Sequence, residues 1–239
     1  MHNRIPLLLV PGLSSTRYLW QNQIDGLADV ADCWVSPLPA HDDLGAIADE
    51  ILADAPPQFA LAGYSMGGYI CFEMYRRAPH RISRLGLFAT TPYPERPAMA
   101  RRRHMMIRKS ESGYLAMWRE VLPRFVAPSR SNDAAFIERM AKMAYEGGAT
   151  AFRAHQRAAA NRRSHEDLLS RITCPTLVMV GADDALTSEE EHRTFAARIA
   201  DAEMVVIPDA GHLAPLEQPE ATTAAMRNWL IREPMALAA

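Results

Sequence analysis

The stretch "FALAGYSMGGYICFEMYRRAP", Phe59 to Pro79, places a serine between two glycines where one apolar run ends and another begins. The first run is short and continuous, which is typical of a strand covered on both faces of a sheet. The second run repeats apolar residues at helical spacing, with Ile70, Cys71 and Met74 on one face. The sequence therefore predicts a strand, a sharp turn at Ser65 and then a helix.

The turn itself has the pattern Gly63-Tyr64-Ser65-Met66-Gly67, a G-x-S-x-G motif. A serine on a strained strand-to-helix turn projects its oxygen out of the sheet, and flanking glycines remove the side chains that would clash there. The N-terminus of the following helix also points its positive end at the serine, which favours a developing oxyanion. Ser65 is therefore the candidate nucleophile.

Similar apolar runs, each bounded by turn residues, occur on both sides of this motif. They are "PLLLVPG" (6–12), "CWVSPL" (33–38), "RLGLFATT" (84–91), "PTLVMVGADD" (175–184) and "EMVVIPDAG" (203–211). Helical patterns lie between several of them: Ser188 and Glu191 form a capping-box start for a helix reaching about Ile199, and Pro219 opens a last helix ending near Leu230. Alternating strands and helices predict an α/β fold, with a mostly parallel sheet flanked by helices.

Composition and charge indicate an insertion in this fold. The 239 residues are 49% apolar, enough for a sizeable core, and the net charge of -2 gives no general case for a nucleic-acid partner. Residues 92–170, however, hold 15 Lys and Arg against 8 Asp and Glu, and they contain four helical patterns and no strand-like run. We predict a core of residues 1–91 and 171–239 with a helical cap at 92–170. Two separate domains are the alternative.

The three cysteines, Cys33, Cys71 and Cys174, are scattered and lack metal-ligand spacing, which is typical of reduced, buried thiols. The N-terminal apolar run is too short for a signal-peptide core, and no run approaches the ~18 residues of a membrane span. We therefore expect a cytoplasmic protein with no membrane partner, no metal site and no organic cofactor.

A nucleophilic serine needs a base, and the base needs an orienting carboxylate. Asp183 and Asp184 follow one predicted strand, and His212 follows the next. The loops after parallel strands meet at one edge of the sheet, so these side chains are expected near Ser65. The alternative for His212 is a surface histidine, and the residues alone leave Asp183 and Asp184 equally placed.

An oxyanion hole needs two backbone donors. The first is predicted to be the N–H of Met66, directly after the nucleophile, and the second that of Leu13, because Gly12 lets the first strand's loop approach closely. Ser14, with Ser15 and Thr16, is a candidate hydroxyl donor to substrate. Their alternative role is in a turn or helix cap.

At this point the chain resembles the α/β-hydrolase fold with a helical cap, and it is most similar to the small esterases and lactonases of that superfamily. The resemblance covers nearly the whole chain and implies that Asp184 is the acid, with Asp183 as the fallback. It also implies a six-stranded sheet beginning at Arg4–Val10, without the family's usual N-terminal hairpin. Pro11-Gly12 stands where many members have His-Gly, but the donor is the next N–H, so function is expected to survive.

The nucleophile narrows the chemistry that the resemblance implies. Related haloalkane dehalogenases and epoxide hydrolases carry Asp at the elbow, whereas this chain carries Ser65. The expected function is a serine hydrolase for carboxylic esters or lactones. The same triad also serves C–C bond hydrolases, perhydrolases and thioesterases. A ligand-binding or signalling protein with slow turnover is the alternative from another class.

The substrate, a small ester or lactone, is expected between the sheet edge and the cap. The candidate wall residues are Tyr64, Met117, Trp118 and Met143, and the alternative for each is ordinary packing in the core. The basic cap is a candidate surface for an anionic substrate, against the alternative of a solvated helix face or docking on the acidic core. The methionines of the cap fit core filling, an adaptable lid or a homodimer contact.

Overall fold

A six-stranded parallel sheet forms the centre of the computed structural model, which describes residues 4–235. Its strands are β1 (Ile5–Val10), β2 (Ala31–Val35), β3 (Phe59–Tyr64), β4 (Ile82–Phe88), β5 (Thr176–Gly181) and β6 (Ala202–Ile207). Their order across the sheet is β2-β1-β3-β4-β5-β6, and every neighbouring pair is parallel. The predicted α/β fold class with six strands is confirmed.

Strand ends differ from the sequence runs most clearly at β2. The strand begins at Ala31 and ends at Val35, two to three residues before the predicted run of 33–38. The N–H of Ser36 still donates to the carbonyl oxygen of Leu9, at 3.0 Å. Pairing with β1 therefore extends one backbone hydrogen bond beyond Val35.

Helices cover both faces of the sheet. They are α1 (Gln21–Gly26), α2 (Leu44–Asp54), α3 (Met66–Arg77), α4 (Pro97–Val121), α5 (Ala134–Glu146), α6 (Ala149–Ala160), α7 (Glu166–Leu169), α8 (Glu189–Ala196), α9 (Ala214–Glu217) and α10 (Pro219–Ile231). Alternate residues of β1 enter two separate hydrophobic clusters, Leu7 in one and Leu8 in the other. The cluster around Leu7 includes Trp229 of α10, and the one around Leu8 includes Ile70 of α3. Both faces of the central strands β3 and β5 are therefore buried, as their continuous apolar runs require.

The cap, residues 92–170, carries helices α4, α5, α6 and α7 between β4 and β5. Two of the predicted helical patterns, at residues 97–110 and 113–125, correspond to the two halves of α4, which are separated by a kink at Gly113, whose angles φ 167° and ψ 88° are not helical. Cap residues such as Met117 and Phe136 belong to the same hydrophobic cluster as Leu7 of the sheet. The division into core and cap stays a prediction, and its outer ends, residues 1–3 and 236–239, lie outside the described residues.

Helix α8 starts where the sequence indicates but ends earlier. Ser188 caps it by accepting a hydrogen bond from the N–H of Glu191, at 3.2 Å. After Ala196 the bonds shorten to i→i+3, including that from Ile199 N–H to the Ala196 carbonyl, so the last turn is no longer α-helical. Within residues 4–235, none of the helices combines the length and apolar character that crossing a membrane requires.

Candidate active site

Ser65 lies at the junction of β3 and α3, in the conformation φ 54° and ψ −116°. A positive φ is costly for a residue with a side chain, so the surrounding backbone must hold it. A Cβ atom at Gly63 would lie 2.4 Å from the carbonyl oxygen of Gly67, and one at Gly67 would lie 2.3 Å from that of Val10. The two glycines therefore allow the sharp turn that exposes the serine hydroxyl.

His212 connects Ser65 to an acid. Its Nε2 lies 2.9 Å from Ser65 Oγ, and its Nδ1 lies 2.8 Å from Asp184 Oδ2. Asp184 follows β5 and His212 follows β6, so the adjacent strand ends bring the three residues together. With Nδ1–H donating to the carboxylate, Nε2 is left as the acceptor for the serine hydroxyl.

Asp184 is fixed by its own loop as well as by His212. Its Oδ1 accepts hydrogen bonds from the N–H groups of Leu186 (2.8 Å) and Thr187 (3.1 Å), and its Oδ2 accepts one from the Thr187 hydroxyl (2.8 Å). Burial raises the pKa of Asp184, but attraction to His212 and these hydrogen bonds outweigh burial, so the pKa lies below its ordinary value. Asp183 is exposed, and its backbone N–H donates a hydrogen bond to the carbonyl oxygen of Ala210. The geometry therefore brings Asp184, not Asp183, to the histidine.

The His212 loop is held by a buried acid that the sequence does not single out. Oε1 of Glu217 accepts from the N–H groups of Gly211 (3.0 Å) and Leu213 (2.9 Å), on either side of His212, and Oε2 accepts from Ala127 N–H (2.6 Å). Burial raises the pKa of Glu217, although the three backbone donors partly offset it. A glutamate beside the start of a helix normally faces water, so no sequence signal points to this role.

A second hydrogen-bond network, which the sequence does not predict, holds the turn that carries Ser65. The hydroxyl of Thr90 donates to the carbonyl oxygen of Ser65 (2.8 Å), and the N–H of Thr90 donates to His192 Nε2 (3.1 Å). His192 Nδ1 lies 2.8 Å from the carbonyl oxygen of Ser188, which it reaches as a donor. Burial lowers the pKa of His192, so the neutral ring that this network needs is favoured.

The two predicted oxyanion donors belong to residues on the cavity wall. Leu13 and Met66 line the same cavity as Ser65 and His212. Within residues 4–235, neither N–H donates to a protein acceptor, so both are free to bind an incoming oxygen. A Cβ on Gly12 would lie 2.8 Å from the Tyr64 ring, so only glycine lets the Leu13 loop approach this closely.

Of the five predicted substrate-contacting residues, four line this cavity and one does not. The four are Ser14, Tyr64, Trp118 and Met143. Met117 is only 1% exposed, lies in the hydrophobic core and is not on the cavity wall. Neighbouring residues on a helix point about 100° apart, and here α4 directs Met117 into the core and Trp118 to the cavity.

Ser14 and Tyr64 are held by hydrogen bonds of their own. Ser14 Oγ lies 2.7 Å from the hydroxyl oxygen of Tyr114 on α4, which ties the oxyanion loop to the cap. The Tyr64 hydroxyl donates to the carbonyl oxygen of His212, and the two rings lie 5.3 Å apart. The Tyr64 hydroxyl therefore helps to hold the backbone of His212, and Tyr64 also lines the cavity.

The cavity above Ser65 has a volume of about 210 Å³. Much of its wall is apolar, from Met99, Trp118, Leu122, Phe125, Met140 and Met143. The rest includes charged residues, namely Glu95, Arg96, Arg102, Arg103, Arg162 and Glu191. Among the described residues, no group of three or more His, Cys, Asp or Glu side chains is placed to hold a metal ion.

Comparisons with known proteins agree with this architecture. A sequence model described as "Alpha/beta hydrolase family" matches residues 7–225. The pimeloyl-[acyl-carrier protein] methyl ester esterase of Aromatoleum aromaticum is 27% identical over 240 aligned positions, which cover 91% of this chain and 95% of that protein. The chain is thus similar to a curated esterase over nearly its full length.

Two solved structures extend the likeness. A thermophilic esterase from Thermogutta terrifontis, solved with malate bound, superimposes with a TM-score of 0.85 and 32% identity, over 96% of this chain and 90% of that one. The enol-lactonase from Burkholderia xenovorans LB400 superimposes with a TM-score of 0.86 over 96% and 92% of the two chains. At 20% identity, the second similarity supports the fold alone.

Proposed function

The chain belongs to the alpha/beta hydrolase family, and on that premise we propose that it is a serine hydrolase cleaving carboxylic esters, lactones included, through an acyl-enzyme. The observation that carries the proposal is the unbroken line of hydrogen bonds from Ser65 through His212 to Asp184. The relatives add support, since both the Aromatoleum protein and the Thermogutta protein are esterases by name.

In the first half of the reaction, Ser65 Oγ attacks the carbonyl carbon of the ester while His212 Nε2 takes its proton. Nδ1–H of the ring stays bonded to Asp184, whose carboxylate stabilises the imidazolium that forms. The low pKa of Asp184 keeps this carboxylate ionised. General-base transfer of this kind contributes about 10²–10⁴-fold to rate.

The carbonyl oxygen becomes negative as the tetrahedral intermediate forms. The N–H groups of Leu13 and Met66 are the proposed donors to it, and each is typically worth about 3–4 kcal/mol in the transition state. Because Ser65 precedes the first turn of α3, the N-terminal end of that helix adds a favourable field.

His212 then returns its proton to the leaving alcohol, whose C–O bond breaks to leave an ester on Ser65. Water enters in place of the alcohol, gives a proton to His212 and attacks the acyl carbon. Collapse of the second intermediate releases the acid and restores the Ser65 hydroxyl. This chemistry is carried by side chains and backbone amides alone.

The size of the cavity indicates a small substrate. Its volume of about 210 Å³ lies below the ~300–1,000 Å³ common for sites that hold drug-sized ligands. We therefore propose that acyl groups of short to medium length are accepted and that long chains are turned over poorly.

Hydrolysis of a p-nitrophenyl ester series from acetate to dodecanoate tests the proposal, with Ser65→Ala as the control. We expect turnover of the shorter esters by the wild type and none above background by Ser65→Ala. Tight ligand binding with negligible turnover of every ester would instead support the slow-turnover binding protein.

A further inference from the structure

Three charged side chains form a cluster in the part of the cavity wall that the cap supplies: Glu95, Arg103 and Arg162. All three line the same cavity as Ser65 and His212. Their side chains are 4%, 17% and 6% exposed, respectively, so the charges lie largely out of bulk water. Glu95 precedes α4, Arg103 lies on it, and Arg162 follows α6, so the cap alone assembles the cluster.

The hydrogen bonds of this cluster leave donors unused. Both guanidiniums bond the same oxygen, Oε2 of Glu95. Arg103 Nη1 also donates to Gln156 Oε1 (2.9 Å), and Arg162 Nε donates to the carbonyl oxygen of Tyr93 (3.0 Å). Nη2 of each arginine has no acceptor in the part of the chain that the structure describes, and neither is a sealed buried atom.

The orientation of Arg162 is fixed independently of Glu95. Its guanidinium lies over the ring of Tyr69, with the central carbon 4.5 Å from the ring centroid. A guanidinium held by stacking and by backbone acceptors has lost most of its freedom before any ligand arrives. Such preorganisation lowers the entropic cost of binding.

Charge in the cluster is also unbalanced, because two guanidiniums face one carboxylate. The wider cavity wall repeats the excess, with four arginines against two glutamates. The second glutamate, Glu191, accepts from the Thr91 hydroxyl and lies 3.8 Å from Arg96, so it does not neutralise the cluster. A structural ion pair needs one arginine for one glutamate, and a surplus charge away from water is costly unless an anion joins it.

We propose that Arg103 and Arg162 bind a carboxylate of the substrate, so that the esters hydrolysed are those of acids carrying a second, ionised carboxyl group. This inference rests on the proposed esterase function. A guanidinium presents paired N–H donors that match the two oxygens of a carboxylate. The apolar residues of the same wall, such as Met99 and Trp118, suit the hydrocarbon chain between the two carboxyl groups.

The test compares two ester series that differ in one group: monomethyl esters of linear diacids from succinate to suberate, and the same esters with the free acid replaced by a primary amide. Methanol release gives kcat/KM for each. We expect the wild type to prefer the acid at one or two chain lengths, and that optimum measures the reach from Ser65 to the cluster. Equal kcat/KM for acid and amide at every length would overturn the inference.

Arg103→Gln should reduce the acid-over-amide preference about 10- to 100-fold, the range expected for one charge-assisted hydrogen bond. Its matched control is Arg101→Gln, an exposed arginine two residues away that is not part of the cavity wall. Both variants remove one positive charge from the cap. An equal effect of the two would show general charge attraction and would contradict a specific site.

The variant Glu95→Gln should change the affinity for the diacid in the direction opposite to Arg103→Gln. Removing the carboxylate that now occupies both arginines should strengthen binding of the diacid several-fold, a gain that a damaged cap cannot imitate. Weaker binding in this variant, with its thermal unfolding unchanged, would overturn the inference.

Binding of the free diacid separates this inference from the proposed function. Ser65→Ala is titrated calorimetrically with adipate, hexanoate and inorganic phosphate, alone and combined with Arg103→Gln. Adipate should bind more tightly than hexanoate and lose this advantage in the double variant, whether or not any ester is hydrolysed. No such advantage, or phosphate binding more tightly than adipate, would overturn a carboxylate site. Turnover lost for every ester would refute only the esterase function.

Discussion

The two sides of the cavity are built by different physical means. On the sheet edge, defined by Ser65, Asp184 and His212, backbone geometry at strand ends fixes each group, and single hydrogen-bond distances decide its role. On the cap wall, defined by Arg103, Trp118 and Met143, long side chains from helices α4 and α5 line the cavity. The placement of each catalytic group therefore depends on backbone geometry at a strand end, whereas substrate choice depends on how side chains of the cap helices are arranged.

The largest effect that separates the two sides should come from the acid on the sheet edge. Asp184→Asn loses the charge that stabilises the imidazolium and the acceptor that selects its tautomer, so kcat should fall on the order of 10⁴-fold. Asp183→Asn is the matched control, since that side chain is exposed, and its kcat should stay near wild type. Steady-state kinetics with a short p-nitrophenyl ester measures kcat for both variants. A larger loss in Asp183→Asn than in Asp184→Asn would contradict the assignment of Asp184 as the acid.

Glycines on the two sides should differ in their tolerance of a methyl group. In Gly67→Ala the new Cβ would lie 2.3 Å from the Val10 carbonyl oxygen, so the variant should lose about 3 kcal/mol of unfolding free energy or more, and most activity. In Gly113→Ala on the cap, the new Cβ would lie 3.6 Å from the Cβ of Ala116, which is ordinary contact. Denaturant unfolding compares them, and similar losses would remove the contrast between the sides.

A smaller effect is expected from the buried acid that supports the His212 loop. Glu217→Gln replaces an acceptor oxygen by an NH₂ group that faces backbone donors, and should cost about 2 kcal/mol of unfolding free energy. Activity should fall because His212 is less well placed. The exposed Glu220→Gln is the control. A Glu217→Gln variant as stable and active as wild type would show that the loop holds itself.

The smallest effect concerns pH. Because the pKa of Asp184 is lowered by folding, its ionised form stabilises the native state above the unfolded-state value, and this contribution is lost as pH falls through the lowered pKa. The difference in unfolding free energy between wild type and Asp184→Asn should therefore shrink as pH decreases below about 4. Urea unfolding across this range measures it, and a difference that grows toward low pH would contradict the sign.

The sequence predicts the sheet edge of the cavity better than it predicts the cap wall. The strand runs, the glycines around Ser65 and the position of His212 after a strand are local patterns, and they predict the sheet and bring Ser65 and His212 together. Asp183 and Asp184 are adjacent on one loop, so residue patterns alone could not separate them. Only the family resemblance favoured the residue that the structure places beside His212.

The rest could not be read from the sequence because it depends on long-range packing. A glutamate at position 217 would be predicted to lie on the surface, but its carboxylate is buried and accepts hydrogen bonds from the backbone of the His212 loop. Met117 and Trp118 are equally apolar, and only the direction of α4 turns one into the core and the other to the cavity. Arg162 reaches Glu95 from 67 residues away, a pairing that no local pattern encodes.

The most direct test of the central claim is to trap the acyl-enzyme and locate it. The protein would be quenched in acid during turnover of p-nitrophenyl butyrate, or labelled with a fluorophosphonate, digested and examined by mass spectrometry. The account predicts one adduct, on the peptide that contains Ser65, absent in Ser65→Ala and strongly reduced in His212→Ala. An adduct on another residue, or ester turnover that persists in Ser65→Ala, would contradict it.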